Sequence, residues 1–507
     1  MEFNEGIRFL DEKGLLCSAT WGRQDPCCGL EIKRITHHTS RVSDGALFCC
    51  LPGTRHDGHD FAQAALGNGA VALLCERALD IEIPQILVTD ARRAMACLAS
   101  FHNGFPGDKL KMLALTGTNG KSTTTYLMRS VLEKAGIPSG LLGTIVYHDG
   151  AGETLADRTT PESDEIQEWL ARMVANGCKA CVMEASSHGL EQGRLWGCLF
   201  DAVGFTNLTP EHLDFHGEME TYFQAKRKLF TEFTRGEWVG AANADDPFGK
   251  RLIAEFGGRV IPYGLNDEGL ETVRARLLAM SLRGIALDIL FPGGKEVRKL
   301  NIPLTGRYNV YNSLSAAALA WGLGIGEDAI ATGLEKSPQV PGRLERYLFE
   351  NGVCCIIDYA HSPDALRNVL QTLRELVNGK QKIWSVFGMG GERYAPNRPL
   401  MGEVASELAD ELVITMDNPR SEDPAAIALD IASGLLHGKR LGGHSVLLDR
   451  PEAIRFALDH AAPGDIVLVS GKGPEPYIII GDKTLPYSDK QTVKDWAKAR
   501  GLEWPYA

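Results

Sequence analysis

The chain has 507 residues, 44% hydrophobic and 23% charged, with a formal net charge of −12. That composition is ordinary for a soluble globular protein, and roughly 150 residues per domain suggests about three domains. The negative balance argues against broad nucleic-acid binding and calls for local cations wherever an anionic ligand is held.

No stretch approaches the roughly 20 apolar residues that span a bilayer. Residues 1–16 mix Glu2, Glu5, Arg8, Asp11, Glu12 and Lys13 without an apolar core. No signal peptide or membrane partner is expected, and the expected compartment is the cytoplasm. The cysteines, including Cys27–Cys28, Cys49–Cys50, Cys354–Cys355 and the Cys178/Cys181 pair, are expected as reduced thiols in cores. No second ligand pair supports a zinc site.

The first block is residues 1–108. It carries short apolar runs at 45–51, 70–75 and 85–88 and a helical pattern over 91–102. It ends in the turn-rich Asn103-Gly104-Phe105-Pro106-Gly107-Asp108. The second block, 109–338, opens with an apolar run at 111–115, a Gly-rich turn and a helical pattern at 122–135. Strand-like runs follow at 180–183, 202–206 and 238–241. Strands alternating with helices predict a mostly parallel, doubly wound sheet. Residues 271–304 alternate apolar and polar around Pro292-Gly293-Gly294 and predict a small β insertion; 316–323 predict a buried helix. The third block, 339–507, has strand-like runs at 353–357, 383–387, 412–415 and 466–469. The expected fold is α/β in three domains: an N-terminal α/β domain, a central P-loop ATPase-like domain and a C-terminal Rossmann-like domain. Gly388-Met389-Gly390-Gly391 follows a strand, but a lone Gly-rich turn is weak support for dinucleotide binding.

Thr116-Gly117-Thr118-Asn119-Gly120-Lys121-Ser122-Thr123 lies between strand and helix. Glycines let backbone N–H groups turn toward a phosphate, and the helix N-terminus adds partial positive charge. Lys121 is placed to reach the β- and γ-phosphates and Ser122 to ligate Mg²⁺. The strict Walker pattern requires glycine where Leu115 stands, so it fails here. The alternative is a generic strand–helix turn. The shortened loop resembles the ATP loop of Mur ligases and of folylpolyglutamate synthetases, families that join an amine to a carboxylate through an acyl phosphate.

Glu184 ends a strand, and His212 lies in Asn207-Leu208-Thr209-Pro210-Glu211-His212. By residue type Glu184 and Ser122 suit Mg²⁺, while both Glu184 and His212 are equally readable as hydrogen-bonded structural residues. Tyr222-Phe223-Gln224-Ala225-Lys226-Arg227-Lys228-Leu229-Phe230 lies on an amphipathic helix whose basic residues read alone as a solvated face. These motifs stand in the order found in the Mur ligase middle domain. The resemblance implies that Glu184 and His212 hold a second Mg²⁺ and that Lys226, rather than Lys228, is carbamylated by CO₂. Carbamylation converts a cation into an anion able to support metal.

The same resemblance covers nearly the whole chain. Gly306-Arg307-Tyr308-Asn309-Val310-Tyr311-Asn312 implies an adenine contact for Asn309, with a helix cap as the alternative. Pro341-Gly342-Arg343 and Asp358-Tyr359-Ala360-His361 imply ATP contacts for Arg343 and Asp358. Asp417-Asn418-Pro419-Arg420 matches the element of diaminopimelate-adding members; read alone it is a turn after a strand. Arg393, Gly471 and Glu475 match further amino-acid contacts, with Pro474 where the family usually has His. A guanidinium such as Arg420 can clamp the far carboxylate that meso-diaminopimelate has and L-lysine lacks. Thr159, Thr160, Ser186, Gln192 and Arg194, with Ser40 of Thr39-Ser40-Arg41, match contacts to UDP-MurNAc-L-Ala-D-Glu. Gly53-Thr54-Arg55-His56-Asp57-Gly58 matches the next loop less closely.

The resemblance thus implies an ATP- and Mg²⁺-dependent ligase, expected as a monomer, that closes to exclude water from an acyl phosphate. The alternatives are a lysine-adding ligase, a folylpolyglutamate synthetase-like ligase and a catalytically silent nucleotide-binding protein.

Overall fold

The structure, a computed structural model, describes residues 1–22, 29–53, 56–266, 269, 271–377, 379–437 and 443–503. Cys27, Cys28, Thr54 and Arg55 lie outside the described residues. The chain divides into two compact units. One comprises Met1–Ala275, Ile289–Val297 and Tyr311–Leu334; the other comprises Arg276–Asp288, Arg298–Val310 and Glu335–Ala507.

In the first unit, a five-stranded sheet runs in the order Leu16–Thr20, Gln85–Val88, Ala70–Cys75, Ala46–Cys49, Arg34–Thr36. Its first pair is antiparallel and the rest parallel. Ala46–Cys49 is buried at every position, which is why its sequence reads as an unbroken apolar run. Helix Ala91–His102 starts where the Asp90 side chain accepts the Arg93 N–H, and lays Ala94, Met95 and Leu98 on this core.

Among the described residues, eleven strands form the second sheet. Its middle is Thr234–Asn243, Phe200–Phe205, Lys111–Thr116, Ala180–Glu184, Ser139–Leu142, all parallel. Lys111–Thr116 is therefore central. Glu184 pairs in register with Leu115, and Phe205 with Thr116. The C-terminal ends of three adjacent strands thus deliver the phosphate loop, Glu184 and the segment beginning at Thr206 to one edge, where open α/β sheets bind ligands. The expected insertion is three strands, Val273–Ser281, Gly284–Leu290 and Glu296–Ile302, at one end of the strand order.

The second unit contains a six-stranded sheet, in the order Glu345–Leu348, Cys354–Asp358, Ile466–Ser470, Ile383–Phe387, Glu411–Ile414, Gly443–Val446. All its pairs are parallel except the first. Side chains alternate between two cores. Ile356, Leu468 and Phe387 pack on one face; Cys355, Ile357, Val467, Val469 and Val386 pack on the other. A strand buried on both faces has no polar side, so apolar runs are continuous here too. Gly388 follows its strand where a Cβ would lie 2.1 Å from the Thr415 carbonyl oxygen. Close backbone approach is sufficient reason for glycine at that position.

Among the described residues, no helix is long and apolar enough to cross a membrane. The described cysteines are free, and Cys178 and Cys181 are buried.

Candidate active site

The phosphate loop is held in shape by the neighbouring strand end. Thr116 is buried, and Gly117 and Gly120 have φ of 142° and 87°. A Cβ on Gly117 would sit 1.9 Å from Thr206 Oγ1, and one on Gly120 would sit 2.3 Å from Asn312 Oδ1. Both glycines are therefore required by space as well as by backbone angle. The Thr118 N–H donates to the Asn207 carbonyl (2.8 Å) and the Asn119 N–H to Asn207 Oδ1 (3.0 Å). Thr206 Oγ1 donates to the Asn119 carbonyl (2.6 Å). Helix Lys121–Lys134 begins immediately, with Ser122 and Thr123 buried in its first turn. Lys121 folds back over the loop, its Nζ donating to the carbonyls of Gly117 (3.0 Å) and Thr118 (2.8 Å).

Glu184 is almost wholly buried. Its Oε2 accepts from Ser122 Oγ (3.1 Å) and Thr144 Oγ1 (3.0 Å), and its Oε1 from the Thr144 N–H (2.8 Å). This is an all-oxygen set, which fits Mg²⁺ better than a softer metal. His212 is not in this set. It has φ of 57°, stands edge-on to His188 (centroids 4.9 Å) and Tyr222 (6.2 Å), and lies 3.9 Å from a Glu211 oxygen. Among the described residues, no group of three His, Cys, Asp or Glu side chains is arranged to hold a metal ion. Burial, with the charges of Lys121 and Lys226, holds His212 below its ordinary pKa despite Glu211. A metal ligand needs that neutral ring.

Lys226 is 1% exposed. Its Nζ donates to the Gly117 carbonyl (2.8 Å) and lies 4.4 Å from the centre of the Tyr222 ring. Burial, reinforced by Lys121, drives its pKa well below the lysine range. The solvated-face reading holds instead for its neighbours: Arg227 pairs with Glu255 and Lys228 with Glu191 (2.8 Å) at the surface.

Five of the six residues matched to the UDP-sugar dipeptide form one network. Thr159 Oγ1 lies 3.1 Å from Thr144 Oγ1, and Thr160 Oγ1 donates to the Glu184 carbonyl (2.8 Å) and accepts from the Ser186 N–H (3.0 Å). Arg194 donates to the Thr160 carbonyl (3.0 Å) and to Gln192 Oε1 (2.6 Å). It also lies 3.1 Å from Glu162, a buried carboxylate that takes Arg92 (2.9 Å) and Arg158 (3.3 Å) as well. Ser40 is outside this network, with its Oγ 2.8 Å from His38 Nδ1.

In the second unit, Asn309 lies inside helix Arg307–Gly322 rather than at its cap, its Nδ2 donating to the Thr305 carbonyl (2.7 Å). Arg343 stacks over Tyr359 (5.1 Å). The buried Asp358 carboxylate accepts the N–H groups of Leu344 and Ala360, both at 2.8 Å. Burial raises its pKa, with Arg343 opposing.

The Asp417–Arg420 turn faces the Gly-rich loop. The Gly391 N–H donates to the Asn418 carbonyl (2.9 Å), and a Cβ on Gly391 would meet the Pro419 oxygen at 1.9 Å. Arg420 has φ of 52°, is half-buried, and donates through Nη1 to the Gly391 carbonyl (2.6 Å). Gly390 leaves its Cβ position 3.1 Å from Arg420 Nη1 and 3.4 Å from Arg393 Cγ, so both arginines flank it. Gly471 has φ of 111°, where a Cβ would lie 2.7 Å from Asp417 Oδ2. Glu475 Oε2 accepts from Asn418 Nδ2 (3.2 Å) and Lys472 Nζ (3.0 Å). Pro474 packs against Gly342, whose Cβ would meet the proline Cδ at 2.4 Å.

Comparison with known proteins agrees with this architecture. Residues 31–103 match the Mur ligase family catalytic domain, 115–320 the Mur ligase middle domain and 342–473 the Mur ligase glutamate ligase domain. A UDP-N-acetylmuramoyl-L-alanyl-D-glutamate–2,6-diaminopimelate ligase of Geobacter sulfurreducens is 42% identical over 481 residues, 91% of this chain and 93% of that one. The chain belongs to the Mur ligase family. A protein of the same name from Geobacillus kaustophilus is 40% identical over 476 residues, 93% of this chain and 96% of that one. A solved structure of a ligase so named superposes with TM-score 0.66 at 31% identity, covering 97% of this chain and 99% of that one. Folylpolyglutamate synthase of Thermotoga maritima (TM-score 0.57, 15% identity, 74% and 89% covered) shares the fold alone.

Within this Mur ligase, motif reading passed over several residues that hold the matched ones in place. Thr144 binds both Glu184 oxygens, Tyr222 receives Thr118 Oγ1 (3.3 Å) and underlies Lys226, and Lys472 ties Asn418 to Glu475. A basic residue inside the Gly-Lys-Gly-Pro-Glu run was the only sequence signal for Lys472.

Proposed function

We propose that this chain is the cytoplasmic, ATP-dependent ligase that adds meso-diaminopimelate to the D-Glu γ-carboxylate of UDP-MurNAc-L-Ala-D-Glu, a step of peptidoglycan precursor synthesis. Residues 1–108 hold the uridine part, 109–338 the ATP and 339–507 the incoming amino acid. The chain acts as a monomer.

ATP lies on residues 116–123, its phosphates against the loop N–H groups and Lys121, with Asn309 meeting the base and Arg343 and Asp358 meeting the ribose and phosphates. Thr159, Thr160, Ser186, Gln192, Arg194 and Ser40 orient the nucleotide dipeptide. The γ-carboxylate takes the γ-phosphoryl group and ADP leaves. The amine at the L-centre of diaminopimelate then forms the amide bond, releasing phosphate and giving its proton to a carboxylate or water. Ser122 and Glu184 would hold Mg²⁺, with His212 as a further ligand, and the ion would supply charge neutralisation on the phosphates. Lys226, carbamylated by CO₂, carries a negative charge beside the loop in place of an ammonium. Lys121 and the loop N–H groups stabilise the phosphoryl charge.

The observation that carries the choice of amino acid is the half-buried Arg420 guanidinium, held at Gly390–Gly391 beside Arg393, with Asn418 of the same turn paired to Glu475. Such a fork suits a carboxylate at the far end of the substrate. The test is phosphate release from ATP with UDP-MurNAc-L-Ala-D-Glu, Mg²⁺ and bicarbonate, comparing meso-diaminopimelate with L-lysine and weighing the product. Turnover with diaminopimelate alone is expected; turnover with lysine instead would overturn the Arg420 argument.

A further inference from the structure

Lys472 stands between Gly471 and Gly473, and its side chain is 0% exposed. Its Nζ donates to Asn418 Oδ1 (3.0 Å) and Glu475 Oε2 (3.0 Å), and lies 3.5 Å from Asp417 Oδ1. The Tyr477 ring is 5.6 Å away. Asn418 Oδ1 also accepts the Ile479 N–H (2.9 Å), while Asn418 Nδ2 faces Glu475 Oε2 (3.2 Å). Two donors on the oxygen and one acceptor at the nitrogen leave a single orientation for that amide. Lys472 thus reinforces, with the Ile479 N–H, the way Asn418 points, and with Asn418 Nδ2 it engages the same oxygen of Glu475.

Lys472 also sets the local charge. Asp417 and Glu475 carry two negative charges, and Lys472 offsets one of them in a largely buried network where screening is reduced. The far end of diaminopimelate carries an ammonium and a carboxylate, net zero. The far end of L-lysine carries an ammonium alone. Removing Lys472 makes the pocket more negative, which favours lysine and repels the extra carboxylate.

We propose that Lys472 is a positioning residue that sets selectivity for diaminopimelate over L-lysine, acting through Asn418 and Glu475. The proposal rests on the diaminopimelate reading above and assigns a determinant outside the arginine fork.

The test measures kcat and KM of the full chain for diaminopimelate, L-lysine, ATP and UDP-MurNAc-L-Ala-D-Glu in the wild type and in Lys472→Met. The KM for diaminopimelate is expected to rise about tenfold or more, and the diaminopimelate-to-lysine ratio of kcat/KM to fall by about the same factor. The KM values for the two nucleotides should stay within about twofold. The double variant Lys472→Met/Asp417→Asn, with its net charge restored, should recover part of the ratio. Lys472→Gln, which keeps a donor but not the charge, serves if the Met variant fails to fold and should show the same fall in ratio. An unchanged ratio with a lowered Tm, a parallel rise in every KM, or failure of both variants to fold would assign Lys472 to folding alone and overturn the proposal. A wild type that does not turn over diaminopimelate would sink the functional reading instead.

Discussion

Lys226 Nζ ends 2.8 Å from the carbonyl oxygen of Gly117, so a buried lysine is fastened to the first glycine of the phosphate loop. Burial, and then the charge of Lys121, hold its pKa well below the lysine range. Lys226→Met is expected to fold, since a buried amine is exchanged for an apolar group of similar length, and to lose about a hundredfold or more of kcat. Chloride-free assays of Lys226→Ala with short carboxylic acids, which can stand in for a carbamate, should restore part of the rate. Full activity of Lys226→Met would remove the carbamate from the mechanism.

Gly117→Ala places a methyl group against Thr206 Oγ1, at a φ that L side chains rarely adopt. The expected result is a nucleotide Kd raised by about tenfold or more with little change in amino-acid selectivity, read by titration with a fluorescent ATP analogue. Unaltered nucleotide binding would mean that the loop does not cradle phosphate in this backbone form.

Arg420→Ala should lower kcat/KM for diaminopimelate by about a hundredfold and change that for lysine much less. Arg420→Lys should not restore it, because an ammonium has no planar fork to match a carboxylate. Steady-state kinetics with both amino acids decide the matter; an equal loss for both would disconnect Arg420 from the far carboxylate.

Arg450 and Asp489 form a wholly buried bidentate pair, with both contacts at 2.7 Å. The guanidinium also donates to the carbonyls of Met416 (3.3 Å) and Ser470 (2.9 Å), the residues just before Asp417 and Gly471. Asp489→Ala leaves an uncompensated buried cation and should cost roughly 3–5 kcal/mol. Denaturant unfolding of the variant checks this; a loss below about 1 kcal/mol would mean that water replaces the missing carboxylate.

His37 lies 3.1 Å from Asp164 at the first turn of helix Ser163–Ala175. Burial pulls its pKa down, but the hydrogen bond and charge of Asp164, with Glu162 and Glu165 behind it, raise it overall. A raised histidine pKa stabilises fully below its unfolded value of about 6.5, and that stability is lost as pH rises through the folded value. Asp164 is depressed, burial being outweighed by His37, so its contribution is lost only as pH falls through that lowered value. The Tm difference between wild type and His37→Phe should therefore be largest near pH 5 to 6 and shrink above neutrality, measured by thermal melts across pH. A difference that does not vary with pH would show that His37 contributes packing alone.

Much of the fold was legible because its strands are buried on both faces. The apolar runs at 70–75 and 85–88 coincide with strands Ala70–Cys75 and Gln85–Val88, and those at 383–387 and 466–469 with Ile383–Phe387 and Ile466–Ser470. The phosphate loop was legible for a similar local reason: a Gly-rich turn between strand and helix depends on residues adjacent in the chain. Lys226 against Lys228 was not, because both stand on one helix and only packing against Tyr222 and the Gly117 carbonyl of the loop makes one of them interior.

The sequence by itself determined the alternating α/β order, the glycines that permit the loop, and a set of side chains whose order matches the Mur ligases. Local rules suffice for these, since backbone angle, hydrophobic period and motif spacing are properties of neighbouring residues. Tertiary structure alone decided that Thr144 completes the Glu184 oxygen set, that Glu162 gathers Arg92, Arg158 and Arg194, and that Lys472 is interior rather than solvated. Apart from the local Arg158–Glu162 pair, these depend on segments far apart in the chain meeting in space. Burial, which turns an ordinary charge into one that must be paired, exists only after they meet.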